Sequence, residues 1–171
     1  MSISLYNASV PIFIQFLNAL SSVLDKGAAF AEARKIDPEV LTGLRIYPDM
    51  HPLAWQVRST TTHAVRACAL IAGVEQPEFG DAQTTIPELK DRIAKAVDFL
   101  KTIKPDQMNG KEDKEIVLKF GPRELNFTGL SFLLNLSLPN FYFHATTSYD
   151  ILRHCGVDIG KRDFMGTPVE L

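Results

Sequence analysis

Leu138-Pro-Asn-Phe-Tyr-Phe-His-Ala-Thr-Thr-Ser-Tyr-Asp-Ile-Leu-Arg-His-Cys-Gly156 decides how this chain folds and where its chemistry lies. Its apolar positions Leu138, Phe141, Ile151 and Leu152 extend a pattern begun at Leu130, Leu133 and Leu134. The spacing predicts a helix over about 129–154, capped by Thr128 and stopped by Gly156 in the left-handed conformation. Pro139 cannot donate to the helix ladder and predicts a kink in its middle. Asn140, His144, Thr147, Ser148, Ile151 and Leu152 share one face by the three-and-four rule, so a polar stripe points partly inward.

Working back along the chain, three more helices of similar character appear. Residues 5–26 carry Tyr6, Val10, Phe13, Ile14, Leu17, Leu20, Val23 and Leu24 at helical period, with Pro11 predicting either a kink or a short first turn and a restart. A weaker stretch follows, in which Asp37-Pro38 caps one short helix to about residue 44. Asp49 is the expected cap of a second long helix from His51 or Pro52 through Ala72, ended by Gly73. Thr85 and Glu88 form a capping box for a third, over about 86–103. Residues 115–120 and 124–127, around Gly121-Pro122-Arg123, switch to strand-like composition and predict a small hairpin before the last helix. The expectation is an all-α fold, a four-helix bundle with a long connection between its first two long helices. It is a single domain over 1–171, with 157–171 a tail over the surface.

Composition narrows function mainly by exclusion. Of the 171 residues 46% are apolar, enough for one core that needs neither disulfide nor metal to fold. Eighteen Lys plus Arg against twenty Asp plus Glu leave a net charge of −2, without the basic footprint of a nucleic-acid binder. The longest apolar stretches fall far short of the ~20 residues of a membrane span. No export signal is read at the N-terminus, so a cytoplasmic protein is expected, with Cys68 and Cys155 reduced and the sequons at Asn7, Asn126 and Asn135 without consequence. Phosphate-binding glycine loops, G-x-S-x-G and H-E-x-x-H are all missing from the sequence.

What remains is four histidines and some amides on helices. Gln56, Thr60 and His63 share one face of the second long helix, while His51 and Trp55 share another edge. His63 is expected in solvent, His51 partly buried in the first turn, Trp55 in the core and His154 at a helix C-terminus.

The stretch Tyr47-Pro-Asp-Met-His-Pro-Leu-Ala-Trp-Gln-Val57, taken with 138–157, resembles a bacterial domain-of-unknown-function family of the DinB/YfiT-like metalloenzyme superfamily. The resemblance covers nearly the whole chain. It implies the four-helix bundle and a divalent-metal site made by one histidine of the second long helix and an H-x-x-x-H pair of the fourth. Some members of the superfamily are thiol-dependent transferases or hydrolases. Aligned on Leu152-Arg153, the second histidine of the pair falls on His144 and the first on Asn140. Counting seven residues from Asp49, the third ligand position falls on Gln56. Two of the three ligands are thus neutral amides, weak partners for zinc or nickel unless His51 or a carboxylate joins His144. The leading expectation is an uncharacterised DinB-like protein that binds a small molecule in a degenerate metal-site pocket between the second and fourth long helices, at Gln56, Asn140, His144 and His51. Two alternatives stand beside it: a metal-dependent, thiol-linked transferase or hydrolase with His144 as ligand, and a structural or interaction protein without ligand. A homodimer is also expected, because Phe132, Phe141, Tyr142, Phe143 and Tyr149 exceed what one inward helix face can use.

Overall fold

The computed structural model describes residues 3–80 and 82–168. It is mostly helical, with one small antiparallel sheet. Helix α1 (Val10–Arg34) begins after an irregular turn, with Pro11 in its first turn, where a missing N–H costs nothing. The restart, rather than the kink, is realised. The helix also runs eight residues past the expected end, because Gly27 lets it pass close to α7 (Leu138–His154): a Cβ there would stand 3.2 Å from Leu152 Cδ2. Lys35, at φ 56°, closes it.

Asp37 caps α2 (Pro38–Gly43) by accepting from the Glu39 N–H at 2.9 Å. Helix α3 (Leu53–Ala72) starts behind Pro52 and has no side-chain cap, which corrects the role expected of Asp49. Gly73, at φ 74°, ends it as the sequence predicts. Helix α4 (Ile86–Thr102) opens with the Thr85–Glu88 capping box, and the four-residue α5 (Pro105–Met108) follows. Strands β1 (Glu115–Phe120) and β2 (Arg123–Thr128) form the hairpin, with Ile116 and Leu118 buried beneath it.

The last long segment is interrupted at Pro139, though not by a simple kink. A short α6 (Gly129–Phe132) passes into a π-helical turn at Leu133–Ser137, where the Leu138 N–H reaches back five residues to the Leu133 carbonyl; α7 then runs to His154. The wider turn absorbs the residue that cannot donate to the ladder. The expected surface tail over 157–171 holds only in part: it begins inside the core and then runs over the surface as α8 (Lys161–Met165), which has no buried residue, and its last residues, 169–171, lie outside the described residues. Val157 and Ile159 are buried, and α8 lies along α1, with Phe164 edge-on to Phe16 at 5.3 Å. Helix α3 packs on both α7 and α4, and α1 packs on α4 and α7, so the core fills the space among these four helices. No helix among the described residues is long and apolar enough to cross a membrane.

Candidate functional site

Helices α3 and α7 meet with Gln56 and His144 on their facing sides, both buried. The Gln56 amide nitrogen donates to the His51 carbonyl at 3.0 Å, which turns its Oε1 toward His144 Nδ1, 2.7 Å away. Donor and acceptor must match, so the proton sits on His144 Nδ1 and the Nε2 lone pair is left for other use. Burial first, and His51 second, pull the His144 pKa from 6.5 down to about 4. The imidazole is therefore neutral at pH 7.

Aromatic neighbours hold this ring from three sides. Trp55 and Phe143 stand edge-on, each at 5.2 Å, and His63 lies nearly parallel at 5.5 Å. Trp55 is half-buried and stacks on the exposed His51 ring at 3.9 Å, so it is a wall of the site rather than the core anchor expected from sequence. His51 stays just ahead of α3 and contributes its carbonyl to Gln56, not its ring to His144. Asn140 is not drawn in. It is half-buried, and its amide donates to the Leu136 carbonyl one turn back, at 2.7 Å. The hydroxyls of Thr147 and Ser148 likewise bond carbonyls four residues earlier, as does Thr60 on α3. The inward polar stripe of α7 thus satisfies itself locally, apart from His144.

His63 is not the solvent-facing residue expected from the sequence. It is half-buried, its Nδ1 is enclosed without a hydrogen-bond partner among the described residues, and burial, Arg66 and His144, in that order, lower its pKa to about 4. It also lines an open groove of about 460 Å³, together with Trp55, Arg58, Ser59, Thr62, Arg66 and Arg92. All but Arg92 come from α3; Arg92 is the wall contributed by α4. This groove runs along α3 and is not lined by Gln56, Asn140 or His144; Trp55 and His63 are the lining residues whose rings meet His144. Trp55, Ser59, Thr62, His63 and Arg66 recur at i, i+4, i+7, i+8 and i+11, the helical spacing of one continuous face, a signal present in the sequence but not tied to any catalytic motif.

Arg92 is almost wholly buried and fixes the groove's shape. It donates to the hydroxyls of Thr61 and Thr62 and to Gly80 O and Gln83 Oε1, all within 2.7–2.8 Å, and its guanidinium lies over the Phe79 ring at 4.5 Å. One side chain thereby ties the connection after α3 to α3 itself.

A family model, Domain of unknown function (DUF1993), matches residues 5–165. The chain belongs to that family. The crystal structure of a DinB family member protein from Shewanella denitrificans is similar over 98% of this chain and 95% of that one, with 34% identity and a TM-score of 0.87. DUF1993 thereby stands within the DinB-like superfamily. No curated protein matches the chain.

The residues of this DUF1993 member do not fit the metal the superfamily implies. His144 offers one free nitrogen, Gln56 has committed its oxygen to that same ring, and the Asn140 amide is tied to its own helix. Among the described residues no three of His, Cys, Asp and Glu converge. One or two imidazoles with neutral amides do not make the tetrahedral nitrogen and sulfur shell that zinc selects. Cys68, the nearest thing to a soft ligand on α3, is buried elsewhere, and burial pushes its thiol up to about 12.

Proposed function

We propose that the chain is a small-molecule-binding protein whose ligand lies in the α3 groove, against Trp55 and His63, with the Gln56–His144 pair fixing the wall behind them. The observation that carries this reading is His63 Nδ1. Enclosing a ring nitrogen without a partner costs about 1–3 kcal/mol. Such a group on a groove of about 460 Å³ fits a binding surface better than a packed core, and the volume suits a drug-sized molecule. Cofactor chemistry is not part of the reading, because the donor set around His144 is too poor in anionic and imidazole ligands.

Two measurements test it. Screening a chemically mixed fragment set by amide NMR is expected to shift residues 55–66 coherently; hits confined to other surfaces overturn the proposal. Elemental analysis of untagged protein is expected to give zinc and nickel well below one per chain. Stoichiometric metal that disappears in His144→Ala establishes the metal-dependent enzyme instead.

A further inference from the structure

We infer that the ligand of this groove carries an oxyanion, a carboxylate or a phosphate, seated on the Arg66 guanidinium beside the Ser59 hydroxyl, with an apolar body against Trp55. This rests on the groove reading above and adds the ligand's chemistry to it.

Charge is the first argument. Among the described residues the groove is lined by three arginines and no carboxylate; the adjoining cavity of about 300 Å³, which shares Thr62 and Arg92 with it, adds Glu78 as its one described carboxylate. Two of the arginines have structural employment. Arg92 holds the connection after α3, and Arg58 donates to Gln83 O at 3.5 Å. Arg66 differs from both. It is half-buried, burial holds its pKa below the ordinary arginine value, and among the described residues it makes no ion pair or hydrogen bond. A partly desolvated guanidinium without a counter-ion is costly unless something supplies one.

Geometry is the second. Ser59 and Arg66 follow at i and i+7 on one helix face, so one hydroxyl and a planar fork of N–H donors line the same side over two turns, while Thr62 between them donates its hydroxyl to Arg58 O and accepts from Arg92. That set matches the oxygens of a carboxylate or phosphate, which guanidinium binds in bidentate fashion. Trp55 lies one further turn toward the N-terminus of α3 and offers the ring face that an apolar body would cover.

Titration of the folded protein with sodium benzoate, phenyl phosphate and neutral benzamide, followed by amide NMR, tests the inference. At least one of the two anions is expected to saturate shifts at Ser59, Thr62 and Arg66, with at least tenfold tighter binding than benzamide. Arg66→Gln is expected to abolish that preference and Arg66→Lys to restore it only in part, while Arg34→Gln, at a guanidinium over Phe30 on α1, leaves it unchanged. Equal binding of anion and amide, or anion binding indifferent to Arg66→Gln, overturns the inference. Benzamide shifting the groove without any anion preference leaves the small-molecule reading standing; silence of the groove toward all three probes and the fragment set removes both. Thermal melts of each variant establish that the compared proteins are folded.

Discussion

At His144 and His63 burial decides the proton count, and that sets a pH dependence. Both pKa values fall from 6.5 to about 4 on folding. As pH drops through 6.5 the unfolded chain takes up protons that the folded one refuses until about pH 4, so stability is full above pH 6.5, declines between 6.5 and 4, and levels off below. Partial exposure screens the effect, leaving on the order of 2 kcal/mol for the two rings together. Melting temperatures measured across that window are expected to fall in the wild type and to fall less steeply in His63→Gln. Superimposable profiles would show that His63 is not held neutral by the fold. The Gln56–His144 pair was legible through the family resemblance, which sets both at ligand positions; helix-face arithmetic alone put His144 on an inward stripe but left Gln56 on the face of His63, expected in solvent. The bond that Asn140 makes was not legible, since helix-face arithmetic ignores the carbonyl four residues back that its amide prefers. Nor was His63: nothing on α3 alone says that a ring from α7 comes to lie beside it.

Among the elements, the connection from Gly73 to Thr85 is tied to the helices by Arg92, with one longer bond from Arg58 to Gln83 O. Arg92 reaches it from α4 with bonds to Gly80 and Gln83, while its remaining donors hold Thr61 and Thr62. Truncation to Arg92→Ala removes those donors and leaves buried acceptors behind. We expect a loss of about 2–4 kcal/mol by urea denaturation, with faster hydrogen exchange over residues 76–83. Arg92→Lys should recover little, because one ammonium cannot span the same fork of acceptors. A loss below about 1 kcal/mol would mean that the connection is held by something else. Most elements were readable in advance because their boundaries are local chemistry: the Thr85–Glu88 box, the Asp37 cap and the Gly73 stop all act where the sequence places them. The exceptions are governed by tertiary contact. Extension of α1 to Arg34 follows from Gly27 meeting Leu152, and α8 forms where Phe164 finds Phe16 and Tyr149. The start of α3 at Leu53 follows instead from Pro52 taking the cap position, leaving Asp49 outside the helix.

For the whole molecule, that same α8 changes the case for self-association. Phe132 and Phe141 are fully buried, Phe141 against Phe13 at 4.7 Å, while Tyr142 packs on Phe16 and Tyr149 on Phe164. The aromatic surplus of the last helix is therefore mostly spent within one chain. Phe143 remains, 56% exposed, on the same long segment as the exposed Leu130 and Leu134. Apolar side chains left in water on one segment favour burial against a second copy, and a stable dimer has to cover roughly 1,000 Å² or more in total. We expect a homodimer by light scattering at high protein concentration, and a shift toward monomer in Phe143→Asp. A monomeric wild-type mass defeats the expectation. Because the Phe143 ring also meets His144 edge-on at 5.2 Å, that substitution reads out twice. A dimer through Phe143 would shield the outer side of the His144 unit, so Phe143→Asp should raise hydrogen exchange near residue 144 in the wild-type dimer's concentration range. At dilutions where the wild type is itself monomeric, the difference should shrink toward the local effect of removing one ring.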